Sequence, residues 1–514
     1  MIAEKVFSVN RTFHSYSYKK SVKITYKLSH IMNVSIKDIK EKDCACDTLI
    51  LPFTEGDARL YKNLDQATLR LIKRVFSKEF HGKLNESLLI PAPEDIKPQR
   101  ILLVGLGKKA DISAEKARQA GGKAAVYLRG MDMKRIALST DKLSSLSISP
   151  ADFLEGFLLG LYTFRKYTGE RDTGKIDSIV VLSGENRKMG DDIRRTKSAA
   201  SSVWFTRDLI NTPANDMTPT HLANAALSLK QKNLSVNVLE KNDVRKRGMG
   251  AYLSVAHGSD EPLKFIILHY RGASGSPLVL IGKSITFDSG GLSLKPADGM
   301  EKMKYDMAGG AAVLGIFKGV SDLKLPVHLI GILPATENVI GGAASKPGDV
   351  VKAINGKTIE IISTDAEGRM TLADALGYAK RFKPKAIVDI ATLTGACSIA
   401  LGNEAIAIMG SSRELIDKMI KSGHNTYERV WEMPLFEEYK DYLKSDIADL
   451  KNTGGKSGSL VSSASFLAEF AGDTPWVHLD IAGTAWLEKE KPYAPKGASG
   501  IGVRLMLNFL KEWK

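Results

Sequence analysis

A chain of 514 residues, 43% hydrophobic and 25% charged, has the composition of an ordinary globular protein and length for roughly two to four domains. Its formal net charge of +15 permits nucleic acid or an anionic surface as a partner without requiring either. The three cysteines Cys44, Cys46 and Cys397 exclude a disulfide framework and fit a reducing, cytoplasmic compartment.

Much of the positive excess lies at the start, where residues 1–40 hold eight Lys/Arg against two Asp/Glu. This reads as a solvated basic extension over 1–31. It lacks the apolar centre of a secretory signal. An organellar transit peptide fits it, and so does an upstream extension with Met32 as the true start. The longest apolar stretch, 390–402, carries Thr and Ser and is too short to cross a bilayer, so no membrane span is expected.

From residue 33 the pattern alternates. Strands are predicted at 48–52, 135–139 and 178–182, with a strand and turn at 100–107. Helices are predicted at 67–76, 113–129 and 151–167. This is a smaller N-terminal α/β domain over 33–185. Gly105, Gly107 and Ala110 match a dinucleotide-binding turn. The next strand, however, ends in Ser139-Thr140 where an acid is wanted, so a plain turn is the expected reading. A long polar helix at 189–209 occupies a linker over 186–211. Prolines at 213 and 219 end it, with Thr218 as the next cap. Beyond lie strands near 235–239, 263–269, 277–282, 326–333, 358–362, 385–391 and 405–409. Helices fall near 219–232, 306–320, 371–382, 413–421 and 461–471. The expectation is a larger C-terminal domain over 212–514, an α/β/α arrangement on a mixed, mostly parallel sheet.

The chain's chemistry gathers in two segments. Ser363-Thr364-Asp365-Ala366-Glu367-Gly368-Arg369 follows a predicted strand. A helix is predicted to start at Thr371, which with Asp374 resembles a capping box. Asp365, Glu367 and Arg369 are therefore expected on a turn at a strand end, where open sheets bind ligands. Alone, the turn suits a solvated loop as well as a cation. In the second segment Lys283 ends an apolar strand, Asp288 precedes a Ser-Gly-Gly turn and Asp306 begins a helix. Asp306 alone would pass as a cap, and Lys283 and Lys295 as exposed ammoniums. Together, Asp288, Asp306, Asp365 and Glu367 make four like charges that two divalent cations would neutralise. None of the nine His residues forms H-E-x-x-H, which excludes a zincin site.

These segments resemble the leucine aminopeptidase (cytosol aminopeptidase) family, whose pattern is V-G-K-G-x-T-F-D-S-G-G-x-x-x-K, then Y-D-M, then N-T-D-A-E-G-R. Here they read I-G-K-S-I-T-F-D-S-G-G-L-S-L-K, Y-D-M and S-T-D-A-E-G-R. Ser284 and Ser363 are the departures, both beside ligands. Segments 334–338, 347–350 and 478–483 resemble the family too. The likeness is strong over about 200–514, weaker over 33–185 and absent from 1–31.

The resemblance implies a binuclear metalloaminopeptidase that releases Leu and other apolar residues from peptides with a free N-terminus, by attack of a metal-bridging water. One metal would be held by Asp288, Asp365 and Glu367, the other by Lys283, Asp288, Asp306 and Glu367, with Zn²⁺, Mn²⁺ or Mg²⁺ as the ion. Lys295 would stabilise the oxyanion, and Arg369 would hold bicarbonate as general base. Met303, Thr392, Gly395, Ala482 and Ala485 would line the side-chain pocket. A homohexamer is implied. The alternative is an added DNA-binding role in recombination or transcription, as in some bacterial relatives.

Overall fold

The computed structural model describes residues 32–57, 64–76, 78–168, 176–184 and 187–513. The expectation for 1–31 lies outside them.

The first sheet uses β1 (Asn33–Lys37), β2 (Thr48–Phe53), β3 (Ser87–Pro91), β4 (Arg100–Gly105), β5 (Arg135–Ser139) and β6 (Ser178–Leu182) in the order β1-β6-β5-β2-β4-β3. All its pairings are parallel except β3 with β4. Every residue of β2 is buried, as expected for a central strand covered on both faces. The turn after β4 is filled by its own chain: Gly107 donates to the Gly82 carbonyl at 3.0 Å. A Cβ on Gly105 would meet the Lys83 carbonyl oxygen at 1.8 Å. Close packing therefore accounts for these glycines. The helix predicted over 151–167 ends sooner, spanning Pro150–Gly160.

The bridging helix runs Arg187–Asn211. It is less a polar spacer than a packing element, with Val203, Phe205, Leu209 and Ile210 buried. It lies against Ala308–Leu323, a helix buried along almost its whole length. Small residues allow the close approach. A Cβ on Gly315 would meet Thr206 Oγ1 at 2.1 Å.

The second sheet is larger. Its strands are β7 (Leu234–Leu239), β8 (Lys264–Arg271), β9 (Leu278–Gly282), β10 (Ser284–Asp288) and β11 (His328–Asn338). After two short strands, β12 (Val350–Lys352) and β13 (Thr358–Glu360), it continues with β14 (Ala386–Ala391), β15 (Ile406–Gly410) and β16 (Val430–Glu432). Its last strand is β18 (Trp476–Asp480), preceded in the chain by the short β17 (Leu450–Lys451), which, like β12 and β13, lies outside this sheet. The order is β16-β15-β18-β14-β9-β11-β8-β7, with β10 also paired to β11. The centre, β18-β14-β9-β11, is parallel; β8 and β15 run against it. The fold is thus two α/β units, the larger on a mixed, mostly parallel sheet.

Two expectations change here. The strand predicted at 358–362 does not join the main sheet; β13 pairs with β12 and β17 in a separate three-stranded sheet. The helix predicted from Thr371 begins at Glu367 and runs to Ala379, so Glu367 and Arg369 occupy its first turn and not a free loop. Thr371 is interior and donates to the Gly368 carbonyl. Its supposed partner Asp374 caps another helix, accepting from the Tyr252 amide at 2.8 Å.

Candidate metal centre and substrate cleft

The site lies at the carboxyl ends of the central parallel strands, where an open α/β sheet leaves its crevice. Lys283 sits in the break between β9 and β10, with its amide donating to the Ile390 carbonyl at 3.0 Å. Asp288 closes β10. Thr392 follows β14 and Ala482 follows β18. The helix starting at Glu367 brings in Glu367, with Asp365 on the turn before it, and the 3-10 turn Met300–Met307 brings in Asp306.

Lys283 is the hub. Its Nζ lies 2.7 Å from Asp306 Oδ2 and 2.9 Å from Glu367 Oε1, and donates to the Thr392 carbonyl at 3.0 Å. Its path needs Gly368, where a Cβ would stand 2.4 Å from Lys283 Cε. Lys295 Nζ is 2.9 Å from Asp288 Oδ2 and also contacts Asp365 Oδ1. One oxygen each from Asp288, Asp365 and Glu367 lie within 4.8 Å of one another. The structure therefore brings all four predicted carboxylates and both lysines into one cluster.

The electrostatics are strained without ions. Four carboxylates face two ammoniums, a surplus of two negative charges. Burial lifts the Asp306 carboxyl well above the usual range, and burial with the Glu367 charge lifts Asp288. Burial works against the Lys283 ammonium, but Asp306, Glu367 and Asp288 overcome it and hold the charge. Asp306 Oδ2 is buried with the Lys283 ammonium at 2.7 Å as its ion-pair partner. Four clustered carboxylates are hard oxygen donors in excess of the cations beside them, and the set fits divalent cations.

Arg369 is buried, its ordinarily high pKa pulled down by that burial to about 10. It donates through Nη1 to the Asn452 carbonyl at 2.8 Å. Its Nε has no hydrogen-bond partner among the described residues. That open donor suits a small oxyanion.

The loop bearing Asp365 is held by residues far away in sequence. Asn338 donates to Asp288 Oδ1 at 2.8 Å and to the Thr364 carbonyl at 3.0 Å. Asn452 donates to the Ser363 carbonyl and accepts from the amides of Ile362 and Ser363. Gly290 and Gly291 take φ of +87° and +64°, the left-handed turn glycine favours. The Gly290 amide bonds Asp288 Oδ1 at 2.9 Å. Ser284 spends its hydroxyl on the Gly282 carbonyl at 2.8 Å, and Ser363 bonds the Asp365 amide at 3.2 Å. Neither faces the carboxylate cluster as a competing ligand.

Beside the cluster is a cleft of about 420 Å³ whose walls include Lys295, Asp365, Met300, Met303, Ala482 and Trp486. Met303 and Ala482 thus line it directly. Gly395 heads the short helix Gly395–Leu401 with open space where a Cβ would stand. Thr392 instead commits its hydroxyl to Asp306 Oδ1 at 2.7 Å, and Ala485 is fully buried behind the wall. Asn338 and Asn452, together with Asp480, are structural partners that the spacing of the acidic residues does not reveal.

Comparison with known proteins follows this geometry. The model described as "Cytosol aminopeptidase family, catalytic domain" matches residues 204–507, and "Cytosol aminopeptidase family, N-terminal domain" matches 50–170. A "Probable cytosol aminopeptidase" of Geobacter sp. (strain M21) is 43% identical over 490 residues, covering 94% of this chain and 100% of the relative. One of Geobacter sulfurreducens is 44% identical, covering 88% and 92%. Among solved structures, "Bottromycin maturation enzyme BotP in complex with Mn" superposes with a TM-score of 0.82 at 29% identity, covering 91% of this chain and 99% of that one.

Proposed function

The chain belongs to the cytosol aminopeptidase family and is a metalloaminopeptidase; on that premise we propose how its residues divide the work. The observation that carries the reading is the convergence of Asp288, Asp365 and Glu367 within 4.8 Å, with Lys283 and Lys295 ion-paired to the same group. Asp288, Asp365 and Glu367 would hold one ion. Lys283, Asp288, Asp306 and Glu367 would hold the other, with Zn²⁺ or Mn²⁺ ahead of Mg²⁺ because an amine ligand suits a borderline metal. When bound, the pair of dications lowers the pKa of the attacking water and polarises the scissile carbonyl.

The protein's own groups do the rest. Lys283 ligates only as the free amine, so it gives up its proton when the site loads. Thr392 orients Asp306 through its hydroxyl and Lys283 through its carbonyl. Lys295 keeps its charge: burial opposes it, but Asp288 and its neighbours hold the ammonium protonated. Kept cationic beside the carboxylate cluster, it would stabilise the oxyanion of an attacked peptide carbonyl. Arg369 takes bicarbonate as general base; its open Nε and fork geometry support that role. Met303 and Ala482, with Gly395 beyond, receive an apolar first side chain such as Leu.

The three cysteines are free and buried, which suits a cytoplasmic setting; no helix among the described residues is long and apolar enough to cross a membrane. A homohexamer is part of the proposal. Trp431, Phe436 and Ile447, exposed along one stretch, offer apolar surface for assembly. The three-part division into 33–185, 186–211 and 212–514 is likewise proposed. The test is hydrolysis of leucyl-p-nitroanilide before and after chelation, followed by re-addition of single metals. Activity should vanish and return with Zn²⁺ or Mn²⁺. Full activity in the chelated protein would overturn the reading.

A further inference from the structure

Asp480 is buried completely, and among the described residues no Lys or Arg forms an ion pair with it. A carboxylate in the interior is costly unless its oxygens are engaged. Those of Asp480 are engaged by three donors. Oδ2 accepts from Thr394 Oγ1 at 2.7 Å. Oδ1 accepts from the Leu393 amide at 3.2 Å and the Ala482 amide at 3.1 Å.

These three donors come from the two loops that follow β14 and β18. Thr392, one residue before Leu393, grips Lys283 and Asp306. Gly395, one residue after Thr394, opens toward free space. Ala482 lines the wall of the cleft. Gly483 seals the same wall: a Cβ there would meet the Gly402 carbonyl oxygen at 2.3 Å. Thr394 also accepts from the Cys397 amide at 3.2 Å, which ties the helix behind Gly395 to the same joint.

We propose that Asp480 and Thr394 form a positioning pair that sets side-chain selectivity by holding the Leu393–Gly395 loop in register with the Ala482 wall of the cleft. The pair touches neither substrate nor metal. It acts through Gly395 and Ala482, and it rests on the reading of this cleft as the side-chain pocket.

The test compares kcat and KM of the metal-reconstituted enzyme on leucyl- and alanyl-p-nitroanilide. Thr394→Val keeps the shape and removes the hydroxyl; Thr394→Ser keeps the hydroxyl. Losing the bond to Asp480 should loosen the pocket and lower the leucyl-to-alanyl ratio of kcat/KM about tenfold, the lower end of what apolar pocket fit discriminates. KM should carry the change, with two metal ions still bound per chain, and Thr394→Ser should restore the ratio. Asp480→Asn gives a second reading should Thr394→Val fail to fold. Unchanged ratios in both, or equal loss on both substrates together with metal, would overturn the proposal. An inactive reconstituted wild type would strike the parent reading as well, whereas an active wild type with unchanged variant ratios strikes this inference alone.

Discussion

Gly368→Ala sets the site against the helix that carries it. Gly368 is in the first turn of Glu367–Ala379, where alanine favours the helix by about 0.5–1 kcal/mol. The added methyl, however, would stand 2.4 Å from Lys283 Cε and 2.7 Å from Nζ, against an ordinary contact of at least 3.4 Å. The lysine tip must therefore retreat by about 1 Å, several times the ~0.2 Å tolerance of a metal–ligand bond. Retreat forfeits contacts to Asp306, Glu367 and the Thr392 carbonyl. A bond to a charged group contributes about 1.5–3 kcal/mol, so losing these contacts outweighs the helix gain and the metal-free variant should melt below wild type. The ~1 Å displacement at the reacting centre should in addition lower kcat on leucyl-p-nitroanilide about 100-fold, measured at a temperature where both proteins are folded. Near-normal turnover with two ions bound would refute the claim that Lys283 is a ligand threaded past Gly368.

Three further outcomes are expected. Lys295→Ala and Arg369→Ala should each reduce turnover, by about 10²–10³-fold for the oxyanion donor, while elemental analysis still finds near two ions per chain; full activity in either removes its assigned role. Asp288→Ala should lose metal and activity together, and retention of both ions would refute the bridging assignment. Burial lifts Asp374 to about 7 from an ordinary 3.8. In that window the folded state binds the proton and the unfolded state does not, so its contribution to stability is present below the lower value and lost as pH rises through 7. The melting difference between wild type and Asp374→Asn should therefore move against wild type from pH 4 to pH 8. A pH-independent difference would show that Asp374 does not titrate there.

What could be read from the sequence follows from how far each interaction reaches. The acid-bearing segments were legible because residues with one chemistry repeat within short motifs. The helix start was not. Thr371 and Asp374 look like a local cap, yet Asp374 serves the Tyr252 amide, 122 residues away, and Gly368 hides the true first turn by being a poor helix former. Strand β18 was missed because His478 and Asp480 interrupt its apolar run. In the fold His478 pairs with Asp389 at 2.5 Å, and Asp480 with the Thr394 loop, so a buried strand carries polar groups satisfied from its neighbour. Asn338 and Asn452 act on Asp288 and Ser363 across 50 and 89 residues, separations that no periodicity encodes. Strand 358–362 was placed in the wrong sheet because local pattern identifies a strand without naming its partner.

The central claim is that scattered acids and one amine converge on two cations. Anomalous scattering from crystals grown with Mn²⁺ tests it most directly. Two peaks are predicted, both touching Asp288 and Glu367, one also touching Asp365 and the other Lys283 and Asp306. A single peak, or ions that leave Lys283 paired to Asp306 and Glu367 as an ammonium, would contradict the account.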